Sequence, residues 1–199
     1  MAPDALKDFD LVLASASPRR RQLLEAAGLT FTTTVSDYDE KWPGELSGRE
    51  IAEYLAAAKA GAWKEPIRER QIIITADTVV WCRDRLLGKP ADREEAAHFL
   101  SLLSDCEHEV TTAICIRDSR RSHTFSVTTR VRFRKLQEDE ITFYVGRFSP
   151  LDKAGAYGIQ EWIGLRGITR IEGSYYNVVG MPVSELLTEL MKFTGKKTD

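Results

Sequence analysis

The fold is decided by the stretch Ser15-Ala16-Ser17-Pro18-Arg19-Arg20-Arg21, which joins an apolar run over residues 9–14 to a helical pattern over residues 22–28. The apolar run is short enough to be a buried strand. Ser17 is a favourable N-cap, and Pro18 has the fixed φ that suits the first position of a helix. Gly28 suits the position just after a helix. The stretch therefore predicts a strand, a tight turn and a helix in succession.

Three arginines follow the predicted cap, and their charge is of the wrong sign for the start of a helix. The macrodipole and the unpaired N–H groups of a helix N-terminus already favour an anion. A phosphate chain would neutralise this cluster through backbone N–H groups, serine hydroxyls and guanidinium groups together. A solvated basic turn is the simpler alternative. Because the cluster lies between a strand and a helix, we favour the anion site.

The overall composition indicates an ordinary globular protein and a local basic site. At 199 residues, with 43% apolar and 29% charged residues, the chain can bury a substantial core as one domain, with or without a large lobe. The net charge of −2 argues against a general nucleic-acid or membrane-surface binder.

The cysteines and the apolar runs bear on location. Cys82, Cys106 and Cys115 show no CxxC spacing, which suits a reducing compartment and argues against a zinc site. No secretory signal and no apolar run of membrane-spanning length is visible. We therefore expect a cytoplasmic protein.

A second candidate site feature is Asp77, within the strand-like run from Gln71 to Trp81. The continuous isoleucines of this run predict a central strand that is buried on both faces. A carboxylate there needs a cation or a hydrogen-bond network. Asp77 could cap a turn or pair with an arginine, but we favour a role in holding a divalent ion or activating water.

Further carboxylates and cations could reach the same site. A carboxylate cluster that includes Glu40 follows a predicted strand over residues 31–35, and it is either solvated surface or part of a metal site. Lys59 lies on a helix opened by the capping box Ser47–Glu50, where it either extends to solvent or reaches a bound anion. Gly88 and Pro90 fix the backbone around Lys89, which suggests a presented side chain.

The segment Asp152–Trp162 combines spaced glycines with aromatic residues and Gln160. A planar ring could approach such a surface closely, and the Gln160 amide offers both a donor and an acceptor to a base edge. A plain glycine-rich turn is as well supported by this segment alone.

The rest of the chain supplies scaffolding. Residues 109–116 and 124–133 predict an antiparallel pair, 138–148 a helix, 168–171 a strand, 172–180 a loop, and 183–190 lie in a final helix. The three histidines (His98, His108 and His123) show no ligand spacing, so we expect them on the surface or in loops.

In this order, the motifs resemble the Maf family of nucleoside triphosphate pyrophosphatases, from Leu13 to about Leu190. The motifs are Ser15-x-Ser17-Pro18-Arg19-Arg20, Asp39-Glu40, Lys59, Thr75-Ala76-Asp77-Thr78-Val79-Val80, Gly88-Lys89-Pro90, Lys153-Ala154-Gly155-Ala156-Tyr157-Gly158-Ile159-Gln160 and Gly173-Ser174-Tyr175-x-Asn177-Val178-Val179-Gly180-Met181-Pro182. Pro18-Arg19-Arg20, Asp77-Thr78 and the Tyr157–Gln160 segment resemble the subgroup that acts on dTTP and UTP. The 7-methyl-GTP subgroup is less similar. One departure is Glu161-Trp162, where many members have a glycine.

The resemblance implies hydrolysis of a nucleoside triphosphate to the monophosphate and pyrophosphate with a divalent cation, Mg²⁺ or Mn²⁺, as a house-cleaning activity. It also implies one α/β domain over residues 1–199, with a long twisted mixed sheet flanked by helices and a cleft between two lobes, similar to inosine triphosphatases. Asp77 matches the family's proposed general base. Arg19, Thr78 and Gln160 match its specificity positions. The family's remaining polar site residues correspond in this sequence to Ser15, Arg20, Glu40, Lys59 and Lys89.

These matches give a hypothesis for the mechanism. Arg19, Arg20, Ser15, Ser17 and the helix amides would bind the phosphates, and Lys59 and Lys89 would stabilise charge in the transition state. Glu40 and Asp77 would supply carboxylates for a metal ion and for water, with Asp77 either base or ligand. A nucleotidyltransferase and a non-catalytic nucleotide-binding regulator of cell division are the alternatives. A homodimer is possible, and neither a nucleic-acid polymer nor a membrane is expected as a partner.

Overall fold

The structure is a computed structural model that describes residues 2–35, 38 and 41–196. In chain order the elements are α1 (Ala2–Ala5), β1 (Asp10–Ala14), α2 (Pro18–Ala26), β2 (Thr32–Thr34), α3 (Gly48–Gly61), β3 (Gln71–Cys82), β4 (Arg85–Leu87), α4 (Arg93–Leu103), β5 (Glu107–Arg117), β6 (Ser122–Phe133), α5 (Glu138–Phe148), a 3-10 turn (Ala154–Ala156), α6 (Trp162–Gly167), β7 (Ile168–Glu172), α7 (Tyr175–Val179) and α8 (Val183–Thr194).

The strands form one seven-stranded mixed sheet in the order β2-β1-β3-β5-β6-β7, with β4 paired to β3 outside this path. β1 pairs in parallel with β2 and with β3, whereas β3, β5, β6 and β7 pair antiparallel. Helices flank the sheet, so the predicted α/β class with a mixed sheet is confirmed.

The position of Asp77 in the sheet follows from the unequal lengths of β1 and β3. The parallel register runs from Asp10 opposite Gln71 to Leu13 opposite Ile74, and β1 ends at the next residue. β3 continues as far as Cys82, paired with β5 over most of this extension. Asp77 therefore lies on β3 just beyond the carboxyl end of β1, where open α/β sheets place their ligands.

Two large hydrophobic clusters support the sheet. One contains Phe133, Tyr144 and Leu100, where α4 and α5 pack against the antiparallel strands. The other contains Leu13 and Leu186, where α2 and α8 pack around the parallel strands. Burial of such side chains contributes most of the stability of a domain of this size.

Several local predictions are confirmed. The predicted strand, turn and helix around Ser17 are present, with Ser17 as N-cap and Pro18 as the first helical residue. The capping box at Ser47 is formed, and α5 begins and ends where the sequence predicts. No helix among the described residues is both long and apolar enough to cross a membrane.

Two local expectations are wrong. His108 is not a surface histidine, because it lies buried on β5 with its Nε2 atom 2.7 Å from the Tyr157 hydroxyl. Burial lowers the pKa of His108 to about 3. Residues 172–180 are not only a loop, because they contain the short helix α7, capped by Ser174 and ended by Gly180 with a φ of 119°.

Candidate active site

A cavity of about 430 Å³ opens where β1 ends beside the middle of β3. The predicted site residues that the structure describes all line this cavity: Ser15, Ser17, Arg19, Arg20, Lys59, Asp77, Thr78, Lys89 and Gln160. Glu40, the other predicted metal ligand, lies outside the described residues. Residues of both large hydrophobic clusters also line the cavity, among them Ala76, Val80 and Tyr157. The structure thus brings distant motifs together, while their individual roles stay predictions.

The Ser15–Arg21 turn is shaped by its own side chains. The Ser15 hydroxyl accepts a hydrogen bond of 3.2 Å from the Ser17 amide. The Ser17 hydroxyl accepts one of 3.4 Å from the Arg20 amide, as an N-cap does. This turn presents the start of α2 to the cavity, and a helix start attracts anions.

Arg20 joins the start of α2 to two other parts of the chain at the cavity, the strand β3 and the residue after α7. Its Nη1 atom donates to the Ala76 carbonyl at 2.7 Å, and its Nη2 atom donates to the Thr78 hydroxyl at 3.1 Å. Its Nε atom donates to the Gly180 carbonyl at 3.0 Å. A guanidinium group held on several sides has a fixed orientation, which suits the binding of a phosphate oxygen. Thr78 therefore contacts directly an arginine that is predicted to bind phosphate.

Arg19 makes a different contact, with an acid that the sequence analysis missed. Its Nη1 atom lies 2.6 Å from Asp152 Oδ2, and the other oxygen of Asp152 lies 2.7 Å from Lys153 Nζ. Burial tends to raise the pKa of Asp152, but hydrogen bonds from Lys153 and Arg19 outweigh it and lower the pKa to about 2. Lys153 is only 9% exposed and also lines the cavity. The available signal was the position of Lys153 at the head of the glycine-containing motif.

Asp77 has the cationic partner that a buried carboxylate requires. The side chain of Lys59 reaches from α3 and donates to Asp77 Oδ1. Asp77 is 8% exposed, so its charge would be costly without this partner. The partner of Asp77 is thus a lysine and not the arginine considered in the sequence analysis. Both Lys59 and Asp77 line the cavity.

The predicted base-side surface is formed by the segment after α5. Gly155 has a φ of 68°, and a Cβ atom there would lie 3.0 Å from a Val80 methyl group. This close approach carries the chain along the cavity to Gln160, which is exposed and lines it. An amide in this position can donate to and accept from a base edge.

Asn177 belongs to a motif of the family resemblance, although the sequence predicts no role for it at the site. It is fully buried, its Oδ1 atom accepts from the Thr112 amide at 3.1 Å, and its Nδ2 atom donates to the Val110 carbonyl and the Thr129 hydroxyl, both at 2.9 Å. These bonds fix α7 against β5 and β6. The position of Gly180, and with it one partner of Arg20, depends on this contact.

The fold and the site together define an α/β protein with a cleft that suits a small ligand with an anionic group. In fold it is similar to the Ham1 protein of Staphylococcus aureus, with a TM-score of 0.50, 16% identity, and coverage of 92% of this chain and 99% of that one. The chain belongs to the Maf family, since the family model described as Maf-like protein matches residues 10–193.

Curated relatives agree with this membership. A protein of Parabacteroides distasonis named dTTP/UTP pyrophosphatase is 48% identical, over 94% of this chain and 98% of its own length. One of Flavobacterium johnsoniae with the same name is 40% identical, over 96% of this chain and all of its own length (100%).

Proposed function

We propose that the protein hydrolyses dTTP and UTP to the nucleoside monophosphate and pyrophosphate. Its membership of the Maf family and the names of its relatives support this reaction. The observation that carries the proposal is that residues 15–20 of the turn, the buried Asp77 and the Gln160 side-chain amide all line one cavity. A triphosphate, the reacting water and a base each need one of these three parts.

The cations would bind and stabilise the triphosphate. Arg20 is already oriented by its carbonyl and hydroxyl partners, so it loses little freedom on binding a phosphate oxygen. Arg19 would exchange its contact with Asp152 for a phosphate oxygen. Lys59 and Lys89 would add positive charge where the pyrophosphate leaving group becomes more negative.

A divalent cation fits this site in part. Among the described residues, no group of three or more His, Cys, Asp or Glu side chains could hold a metal. Two described carboxylates line the cavity: Asp77, and Asp152, which is held by Arg19 and Lys153. Asp77 and Glu40 are the predicted ligands. This donor set suits Mg²⁺ or Mn²⁺, since Mg²⁺ usually takes one or two carboxylates and completes its shell with substrate phosphates and water. When bound, the ion would neutralise phosphate charge and help to orient the substrate.

Asp77 would hold or deprotonate the attacking water. Its carboxylate is buried, faces the cavity and has Lys59 as a charged neighbour. Asp77→Asn keeps the shape of the side chain but removes the negative charge. It should lower kcat by about 10²–10⁴-fold while nucleotide binding is largely retained. Turnover near that of the wild type would contradict this role for Asp77.

The test of the reaction is a panel of natural and modified triphosphates with Mg²⁺ or Mn²⁺, scored for monophosphate and pyrophosphate. Dominant turnover of dTTP and UTP supports the proposal. Release of pyrophosphate only when a second substrate is added would indicate a nucleotidyltransferase. Binding without turnover, unchanged in Asp77→Asn, would indicate a nucleotide-binding regulator.

Location and assembly are separate proposals. We propose that the protein acts in the cytoplasm, in keeping with Cys82, Cys106 and Cys115 as free, buried thiols. We also propose a homodimer, which light scattering of the purified protein would test. Neither proposal affects the assignment of the cavity.

A further inference from the structure

A chain of polar contacts lies directly behind Gln160. Glu161 accepts a hydrogen bond from the Tyr144 hydroxyl through Oε2, and its Oε1 atom lies 3.2 Å from Lys153 Nζ. The Tyr144 oxygen in turn accepts from the Gly158 amide at 3.1 Å. Tyr144 is fully buried and Lys153 is 9% exposed, so water has little access to this side of the network.

This network holds both ends of the turn that carries Gln160. The Glu161 amide donates to the Gly158 carbonyl at 3.0 Å, which closes a turn over residues 158–161. The Tyr144 hydroxyl contacts both ends of the turn: it accepts from the backbone amide of Gly158 and donates to the carboxylate of Glu161. A Cβ atom at Gly158 would lie 2.8 Å from the Glu161 carboxyl carbon, so the two ends are also packed closely. A shift of the Glu161 carboxylate would therefore move the Gln160 backbone.

The charges of the network are balanced within it. Lys153 lies between the carboxylates of Glu161 and Asp152, and Asp152 also binds Arg19. A largely buried ion pair adds little net stability compared with apolar side chains of similar volume, yet loss of one partner leaves an uncompensated charge. Such a pair fixes a geometry better than it stabilises a fold. Here the fixed element is the one that presents an amide to the cavity.

We propose that Lys153, Glu161 and Tyr144 are positioning residues. They fix the position of the Gln160 side-chain amide and thereby determine the selectivity among pyrimidine bases. The proposal rests on the proposed function, because it concerns the same cavity. None of the three residues needs to contact the reacting phosphates. Their effect should appear in the comparison of bases and not in the chemical step.

The experiment compares Lys153→Met, Glu161→Gln, the double variant and Tyr144→Phe with the wild type. Lys153→Arg tests rescue by a retained charge, and Gln160→Ala gives the selectivity of a site without the amide. Glu140→Gln is the matched control, because Glu140 is also a largely shielded acid in an ion pair, with Arg134, but does not line the cavity. Thermal unfolding of every variant separates loss of fold from loss of position.

Two readouts report selectivity. The first is the ratio of kcat/KM for dTTP to that for dCTP. The second is the ratio of Kd values for the α,β-imido analogues of dUTP and dCTP, measured by calorimetry without turnover. We expect both ratios to move towards equality by about tenfold, which corresponds to one hydrogen bond, while kcat for dTTP stays within about threefold. The double variant should resemble either single variant, because both remove the same contact.

Other outcomes overturn the proposal. A fall in kcat that is equal for all nucleotides in Lys153→Met would make Lys153 a phosphate ligand. For Glu140→Gln we expect unchanged selectivity ratios and a lower melting temperature. The same result for the Lys153, Glu161 and Tyr144 variants would show that the network is purely structural. A wild type that binds both analogues equally would also refute it. If the wild type hydrolyses no triphosphate, the proposed function fails, and the binding ratios still decide the positioning role.

Discussion

Replacement of Asn177 by alanine tests how strongly α7 is fixed to the sheet. The substitution removes three side-chain hydrogen bonds from a fully buried site, to the Thr112 amide, the Val110 carbonyl and the Thr129 hydroxyl. At about 1 kcal/mol for each bond, the free energy of unfolding should fall by about 3 kcal/mol. For a chain of this size, that corresponds to a decrease in Tm of about 6–12 °C.

The assay is urea unfolding followed by tryptophan fluorescence, with the slope m compared between variants. An unchanged m with a lower midpoint would show that stability alone has changed. Ser174→Ala is the control, because it removes only the cap bond of 3.2 Å to the Asn177 amide and should cost about 1 kcal/mol. A loss below about 1 kcal/mol for Asn177→Ala would refute the reasoning, since the buried groups must then have found other partners.

The variant should also bind nucleotide less well under conditions where it is still folded. α7 ends at Val179 and is capped by Gly180, whose carbonyl accepts a hydrogen bond from Arg20 Nε at 3.0 Å. Displacement of that carbonyl would loosen the guanidinium group, so KM should rise for every triphosphate. Equal KM values in wild type and variant would show that the other partners of Arg20 suffice to orient it.

Three further perturbations follow from the structure. Thr78→Val removes the hydroxyl that accepts from Arg20 Nη2 and should raise KM for all triphosphates by about tenfold in steady-state assays. Gly155→Ala places a Cβ atom 3.0 Å from a valine methyl at a φ of 68° and should lower unfolding stability by about 1–3 kcal/mol in urea. Glu140→Gln should lower stability at neutral pH by about 2 kcal/mol and have little effect near pH 2 in pH-dependent thermal unfolding. The reason is that hydrogen bonds from Arg134 and the Gln137 backbone lower the pKa of Glu140 from 4.5 to about 2, so its contribution is complete above pH 4.5 and is lost as the pH falls through about 2.

Each of these predictions can fail in a recognisable way. A change in base selectivity without a rise in KM would mean that Thr78 reads the base directly. A neutral Gly155→Ala would show that the valine can move at no cost. A stability difference for Glu140→Gln that is constant with pH would contradict the pKa shift as its cause.

The local part of the site could be predicted because its signals lie in adjacent residues. Ser17 and Pro18 specify the start of α2 by their own conformational preferences. Asp77 is conspicuous because a carboxylate within a run of isoleucine and valine needs a partner. Neither inference requires knowledge of where the chain goes next.

The remaining contacts depend on the tertiary fold. Arg19 and Asp152 are 133 positions apart, and nothing in either neighbourhood indicates that they meet. The lack of ligand spacing predicts a surface or loop position for His108, but spacing does not report which side chain of a strand faces a tyrosine across the core. The sequence predicts a loop around Asn177, because a helix of five residues has too short a pattern to be detected.

The contacts of Arg20 have a consequence for the order in which the protein matures on the ribosome. One partner is 56 positions away in the sequence and another is 160 positions away. Synthesis is vectorial, so a nascent chain that stops before β7 can pair its first strands and yet lacks the carbonyl that completes the arginine's surroundings. The ability to bind nucleotide should therefore appear abruptly, late in translation, and not build up gradually as the sheet grows.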